Sequence, residues 1–237
     1  RVWLPFAAPM AVVFLAWLVH LARAYLAERA RKQEVQRAFS LYVAPTVVEQ
    51  LLADPKRLSL GGELREITIM FTDLKGSTAL YERVGDLAAF DLVRAHFHAL
   101  LEIIASEKGA VVKTIGDAVM ATFIRPEHAI VAGLRMRAAM AQLNVDRGRE
   151  DLSVKIGIHE GPCLAVMLNE RQDYFGQTVN IASRVQSLST SQEIHITGPV
   201  IDSPAVATIL EKQAIRPIQK EAALRGIADK IVVYEIP

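Results

Sequence analysis

The pattern of apolar and polar residues divides the chain into three regions. The first has no Asp, Glu, Lys or Arg over residues 2–22, and a helix of that length spans about 31 Å, close to the thickness of a bilayer's hydrocarbon core. It predicts a transmembrane helix over 1–23, with a buried helix of a soluble protein as the alternative. The second region, 24–60, is rich in alanine and charged residues and predicts a helical connector. The third, 61–237, predicts one folded domain.

Basic residues follow the apolar region closely. They are Arg23, Arg29, Arg31, Lys32 and Arg37. Basic residues near the end of a membrane helix usually face the cytoplasm, so we expect the folded domain to be cytoplasmic and attached through the lipid bilayer to the cell (inner) membrane. The sequence begins at an arginine rather than a methionine, and we expect a longer membrane protein of which this is the later part.

Apolar runs and helical periodicities alternate in the third region. In order, they predict strand 65–72, helix 77–108 with a break at Gly85, strands 110–115 and 118–123, helix 127–143 and strand 152–159. This β-α-β-β-α-β order indicates a ferredoxin-like core of the α+β class, in which helices cover an antiparallel sheet. Further elements follow: a short strand near 162–167, a helix near 177–189, and strands near 193–196 and 230–236.

Composition and charge exclude several classes of protein. The formal net charge is +1, and the sequence has no stripe of basic residues with interleaved aromatic residues, so we expect no nucleic acid partner. Cys163 is the only cysteine, which excludes an intrachain disulfide and a cysteine-based zinc site. The sequence contains no Gly-x4-Gly-Lys-Ser/Thr motif, which excludes an ATPase of the P-loop class.

Two aspartates lie at the ends of predicted strands. Asp73 ends an apolar run and is followed by Gly76, Ser77 and Thr78, which places a carboxylate beside the backbone N–H groups of a helix start, where phosphate oxygens can bind. Asp117 follows a glycine in a predicted hairpin turn, which holds a carboxylate at the tip of a loop. The pair predicts a metal-binding site.

A later segment carries residues suited to a sugar and a phosphate. Asn180 and Arg184 stand at positions i and i+4 of a predicted helix that follows a turn, so an amide and a guanidinium share one helical face. Carboxylates for cations, combined with an arginine for phosphate, indicate phosphoryl or nucleotidyl transfer.

Five motifs extend this interpretation over roughly residues 60 to 236. They are Phe71–Thr78 (FTDLKGST), Lys113–Asp117 (KTIGD), Lys155–Pro162 (KIGIHEGP), Asp173–Arg184 (DYFGQTVNIASR) and Leu224–Gly226 (LRG). In this order and spacing they resemble the class III adenylate and guanylate cyclases. Those enzymes convert a nucleoside triphosphate to its 3′,5′-cyclic monophosphate and pyrophosphate.

The resemblance implies how the phosphates and cations are held. Asp73 and Asp117 would bind two divalent cations, Mg²⁺ or Mn²⁺, since hard oxygen ligands together with substrate phosphates suit these metals. The triphosphate would contact the backbone of Leu74, Lys75, Gly76, Ser77 and Thr78.

The resemblance also assigns the rest of the substrate site. Lys113 and Asp173 would read the adenine ring, Asn180 would position the ribose, and Arg184 would stabilise charge on the α-phosphate. Arg225 would contact the terminal phosphates where the family more often has a lysine, and Lys155 would add a further phosphate contact or be a plain surface lysine.

In the family, the site lies between two domains packed head to tail, so a homodimer is implied. Asp73 and Asp117 would come from one subunit and the remaining residues from the other. A guanine site would be expected to have a carboxylate at the position of Lys113 and a small polar or thiol side chain at that of Asp173. The sequence therefore favours an adenylate cyclase that uses ATP. The alternatives are a guanylate cyclase and a catalytically silent nucleotide-binding or dimerisation module.

Overall fold

The computed structural model describes residues 62–149, 152–168, 171–190, 193–224, 227 and 230–237. The predicted transmembrane helix and connector, over 1–23 and 24–60, lie outside these residues and remain predictions. Within the described part of the chain, none of the helices combines the length and the apolar character needed to cross a membrane.

The predicted ferredoxin-like core is confirmed. Its elements are β1 (Glu63–Leu74), α1 (Ser77–Val84), α2 (Asp86–Ser106), β2 (Ala110–Ile115), β3 (Ala118–Phe123), α3 (Pro126–Arg147) and β4 (Val154–Leu168). The strands lie in the order β2-β3-β1-β4, and each neighbouring pair is antiparallel. The expected break at Gly85 separates α1 from α2.

The remaining elements extend the sheet or cover its faces. They are β5 (Arg171–Phe175), α4 (Gln177–Leu188), β6 (Ile194–Thr197), α5 (Gly198–Ile201), α6 (Pro204–Lys212), β7 (Ile218–Ala222) and β8 (Ile231–Ile236). The sheet continues from β4 through β6 and β8 to β7, and β5 pairs separately with β4. Among the described strands, β4 and β6 form the only parallel pair.

Alternating residues of β1 explain why both faces of the sheet are covered. Met70 packs in the main core beneath α2 and α3, whereas Ile69 and Phe71 point to the opposite face. On that opposite face they meet Ala182 of α4. Because a central strand is covered on both faces, the unbroken run of buried residues over 67–72 fits that position in the sheet.

Three parts of the prediction are corrected. The strands expected at 152–159 and 162–167 are one continuous strand, since Pro162 keeps its place opposite Glu66 in the ladder and its carbonyl oxygen accepts a 2.6 Å hydrogen bond from Thr178. The turn expected before α4 contains strand β5, which pairing with β4 stabilises. The segment after β6 contains α5, α6 and β7, which the sequence did not predict.

Helix α4 lies directly against strand β4 at Gly157. A Cβ atom at this position would stand 2.1 Å from the backbone nitrogen of Gln186 and 2.4 Å from its Cα. Atoms of a rigid helix backbone cannot move aside as the end of a side chain can. The absence of a side chain at residue 157 therefore sets the distance between the helix and the sheet.

We predict that Gly157→Ala displaces α4 and lowers the free energy of unfolding by about 3 kcal/mol or more, the upper part of the usual range for overpacking. The matched control is Gly198→Ala, where the nearest atom to an added Cβ is 3.9 Å away; we expect it to change stability by at most about 0.5 kcal/mol. Urea denaturation measures both. Equal stability of the two variants would contradict the assigned contact.

Candidate active site

The two aspartates come from neighbouring parts of the sheet. Asp73 is the penultimate residue of β1 and lies opposite Lys155 of β4 in the ladder. Asp117 lies in the turn between β2 and β3, directly after Gly116, whose φ of 63° is in the left-handed region. Since residues with a Cβ rarely adopt that conformation, Gly116 allows the tight hairpin predicted from the sequence.

Burial and nearby charges both act on the Asp73 carboxylate. Burial raises the pKa of Asp73 above its usual value, and the negative charge of Asp117 raises it further. The positive charge of Lys155 and the side-chain amide of Gln186 lower this pKa. A cation beside Asp73 would therefore favour its ionised form.

This pair fits a divalent cation. The Oδ2 atom of Asp117 is buried and has no hydrogen-bond partner among the described residues, although a buried carboxylate oxygen normally has one. The described residues contain no group of three or more His, Cys, Asp or Glu side chains suited to a metal. Proteins usually bind Mg²⁺ through one or two carboxylates, and substrate phosphates supply further ligands.

A cleft opens beside Asp117. It has a volume of about 480 Å³ and is lined by Ser77, Tyr81, Val93, Gly116 and Asp117. Ser77 is the first residue of α1, so the helix N-terminus, with its uncompensated N–H groups, borders the cleft.

Part of the predicted phosphate-binding backbone has another role. The N–H of Lys75 donates a 2.8 Å hydrogen bond to the carbonyl oxygen of Ser153, and the side chain of Leu74 is buried in the core. The prediction of a phosphate contact therefore rests on the helix start at Gly76, Ser77 and Thr78.

Lys113 and Asp173 form an ion pair. The Nζ atom of Lys113 lies 2.9 Å from Oδ1 and 2.8 Å from Oδ2 of Asp173. The Tyr174 N–H donates to the same Oδ1 at 2.8 Å, and the ammonium lies 5.8 Å from the centroid of the Phe175 ring. Asp173 belongs to β5, so the strand that the sequence did not predict brings it to Lys113.

Helix α4 presents its two predicted functional residues away from the sheet. Asn180 is exposed and Arg184 is partly exposed, whereas Thr178, Ala182 and Val185 are buried. The spacing of four residues keeps the amide and the guanidinium on one face. These two side chains are therefore available to a substrate or to a second subunit.

The predicted residues thus form two groups. Asp73, Asp117 and Lys155 surround the end of β1, and Lys113 pairs with Asp173 between β2 and β5. No hydrogen bond or ion pair between described residues joins the Lys113–Asp173 pair to either of the first two aspartates. Arg225 lies outside the described residues, and its role remains a prediction.

Sequence reasoning missed Tyr81, Val93 and Gln186. Tyr81 and Val93 belong to the apolar pattern of α1 and α2, which gives no sign that they line a cleft. Gln186 had one signal, since a polar residue falls on the apolar face of α4. His159 has a structural role: its Nδ1 is 2.7 Å from Thr197 Oγ1, and burial lowers its pKa to about 4.

The fold and the site define a nucleotidyl cyclase domain. Residues 62–236 match the family described as the adenylate and guanylate cyclase catalytic domain, and the chain belongs to this family. Domains of this class III family bind a nucleotide substrate, generally use divalent metal ions and typically dimerise.

Similar proteins include cyclases of both specificities. The chain is 28% identical to an adenylate cyclase of Anabaena cylindrica over 85% of this chain and 41% of that protein. It is 30% identical to retinal guanylyl cyclase 1 of Rattus norvegicus over 70% of this chain and 16% of that protein. The crystal structure of the adenylyl cyclase CyaB from P. aeruginosa has a TM-score of 0.64 and 26% identity, covering 75% of this chain and 96% of that one. The chain thus spans less than half of the first two proteins.

We predict that Mn²⁺ stabilises the full chain against heat because a cation relieves the repulsion between Asp73 and Asp117. At a concentration 100 times Kd, binding stabilises by about 2.7 kcal/mol, or roughly 5–10 °C in Tm for a domain of this size. We expect Asp117→Asn to lose this shift and Asp202→Asn, at an exposed position, to keep it. An undiminished shift in Asp117→Asn, measured by scanning fluorimetry, would place the cation elsewhere.

Proposed function

We propose that this chain is the catalytic part of an adenylate cyclase, which converts ATP to 3′,5′-cyclic AMP and pyrophosphate. The observation that carries the choice of base is the ion pair between Lys113 and Asp173. A guanylate cyclase remains the second candidate, since a similar protein has that activity.

The pair offers one hydrogen-bond donor and one acceptor side by side. An ammonium only donates and a carboxylate only accepts, whereas the edge of adenine presents a ring nitrogen that accepts and an amino group that donates. Lys113 and Asp173 are partly exposed, at 40% and 20% of their side-chain surface, so a base can reach both. This complementarity supports ATP as the substrate.

The remaining residues bind and orient ATP. Asn180 holds the ribose, Arg184 stabilises the charge that develops on the α-phosphate, and Asp73 and Asp117 hold the divalent cations. When bound, the cations activate the 3′-hydroxyl and neutralise the triphosphate. The 3′-oxygen forms a bond to the α-phosphorus, the bond from that phosphorus to the bridging oxygen breaks, pyrophosphate leaves and the hydroxyl proton passes to solvent.

A head-to-tail homodimer completes each site. Asp73 and Asp117 of one subunit work with Lys113, Asp173, Asn180 and Arg184 of the other, which gives two equivalent sites because every chain carries both sets. The outward position of Asn180 and Arg184 on α4 supports this arrangement. The proposed phosphate contacts of Lys155 and Arg225 belong to the same site.

The apolar region at 1–23 anchors the domain at the cell (inner) membrane on the cytoplasmic side. Its lack of charge and the basic residues that follow support this location. We expect the full chain, expressed in bacteria, to stay in the membrane pellet after alkaline carbonate treatment and to dissolve in detergent. Release by carbonate alone would contradict the anchor.

The purified full chain should form cyclic AMP from ATP in the presence of Mn²⁺, at a rate well above that with GTP. Asp117→Ala should abolish the product because one cation loses its ligand, and Asp202→Ala should retain full activity. Cyclic nucleotides are quantified by mass spectrometry. Preferential formation of cyclic GMP would favour the guanylate cyclase, and no product from a confirmed dimer would favour a catalytically silent module.

A substitution at Lys113 tests which base the site recognises. Lys113→Glu places two carboxylates side by side, so we expect kcat/KM for ATP to fall at least about tenfold, equivalent to about 1.4 kcal/mol, and the ratio of ATP to GTP turnover to fall with it. Lys212→Glu, at the exposed end of α6, is the matched control. An unaltered nucleotide preference in Lys113→Glu would contradict the assignment.

A further inference from the structure

Strand β5 places an aromatic ring beside the ion pair of Lys113 and Asp173. Asp173 and Phe175 are two residues apart on this strand, so their side chains lie on the same face. Tyr174, between them, is 6% exposed and packs into an apolar cluster instead. The Lys113 ammonium lies over the Phe175 ring, 5.8 Å from its centroid, which is within the range of a cation–π interaction. One face of β5 therefore gives the ammonium both a carboxylate and an aromatic ring.

A β-bulge determines the direction of Lys113. The bulge lies in strand β2, between Val111 and Lys113, and the extra residue places Lys113 opposite Met120. Met120 belongs to the apolar cluster on the sheet face that α4 covers. Regular pairing would place Lys113 opposite Val119, whose side chain lies in the main core on the other face. Since a shift of one residue moves a side chain to the opposite face, the bulge turns Lys113 away from the main core.

The two members of the ion pair are held in different ways. The Tyr174 N–H donates a 2.8 Å hydrogen bond to Oδ1 of Asp173, so the backbone of its own strand orients the carboxylate. The Lys113 side chain is 40% exposed, and a lysine ammonium is a point charge on a flexible stem. When a base takes up hydrogen bonds of the carboxylate, the ammonium loses part of its attraction to Asp173. The Phe175 ring still attracts it.

We propose that Phe175 is a positioning residue, whose ring holds the Lys113 ammonium beside the base while the nucleotide binds. The inference rests on the proposed function, in which Lys113 and Asp173 contact adenine. An aromatic ring attracts a cation through its quadrupole, and phenylalanine has no lone pair that competes for the N–H groups of the ammonium. The ring therefore fixes the charge and leaves its donors free for a ring nitrogen of adenine.

The first test measures nucleotide binding to the full chain without turnover. The probe is 3′-deoxyATP with Mn²⁺, because this nucleotide lacks the hydroxyl that attacks the α-phosphorus. We expect Phe175→Leu to raise its Kd about three- to fivefold, the effect of a cation–π interaction at a partly exposed position. Phe175→Tyr keeps the ring and should bind like the wild type. The matched control is Phe90→Leu, at a 60% exposed position of α2.

Calorimetry gives each Kd. Wild-type affinity in folded Phe175→Leu would overturn the proposal. A loss in Phe175→Tyr as large as that in Phe175→Leu would also overturn it, since the ring is retained.

The second test asks whether Phe175 acts through Lys113. Lys113→Met removes the charge and keeps an unbranched side chain. In that background Phe175→Leu has no ammonium to release, so it should leave the Kd for 3′-deoxyATP unchanged, and the double-mutant cycle gives the coupling between the two residues. An equal loss in both backgrounds would mean that Phe175 acts by packing, for example against Leu164, its cross-strand neighbour, and would overturn the proposal.

A third measurement needs no nucleotide. Reductive methylation with ¹³C-formaldehyde converts lysines to dimethylammonium groups, which keep their charge, and Lys113→Arg identifies the resonance of residue 113. The aromatic ring current should shift that resonance upfield in the wild type and in Phe175→Tyr, and the shift should disappear in Phe175→Leu. A resonance that does not respond to Phe175→Leu would show that the ring does not hold the ammonium, and would overturn the proposal.

The two proposals fail in different ways. If the chain binds neither 3′-deoxyATP nor 3′-deoxyGTP, the proposed function is wrong, and the lysine resonance still decides whether the Phe175 ring holds the Lys113 ammonium. Conversely, binding of 3′-deoxyATP that is insensitive to Phe175→Leu retains the proposed function and removes the role of Phe175.

Discussion

The contact between α4 and β4 at Gly157 is the constraint on which the site depends. The helix backbone occupies the space that a side chain at residue 157 would need, so the helix lies as close to the sheet as two backbones can. This closeness fixes which face of α4 is turned outward. The orientation of Asn180 and Arg184 is thus determined by packing several residues away from them.

The carboxylates at the end of β1 illustrate a different constraint. Asp73 is partly buried beside a second negative charge, and one oxygen of Asp117 has no partner among the described residues. A sheet end optimised for stability alone would place a neutral or oppositely charged residue at one of these positions. Such an arrangement costs stability when no cation compensates the two charges.

The sequence predicted the parts of the fold that depend on local periodicity. The apolar runs of β1 and β3 and the long helices α2 and α3 were found because each repeats its pattern over enough residues. Strand β5 was missed because its five residues, Arg171–Phe175, carry no apolar alternation and are held by pairing with β4. Helix α6 was missed because its two buried residues, Val206 and Leu210, give a single helical repeat.

The sequence predicted the candidate site residues that belong to a motif. It missed the residues that only the packing of the fold brings to the site. Asp73, Asp117, Lys113 and Asp173 stand in recognisable motifs, although the direct contact between the last two joins segments 60 residues apart. Tyr81 and Val93 belong to no motif that indicates a cleft. Their place beside the cleft follows from the packing of α1 and α2, which no local pattern encodes.

If Lys113 and Asp173 read the base, as in the proposed function, their ion pair has a consequence for selectivity. In the absence of nucleotide, each side chain already satisfies the other, so an entering base must replace that mutual attraction before it gains anything. A base that engages only the ammonium leaves the carboxylate without its former partner, and the reverse holds for one that engages only the carboxylate. The ion pair therefore lowers the affinity for any ligand that contacts only one of the two side chains. This selection acts at the binding step, before the chemical reaction.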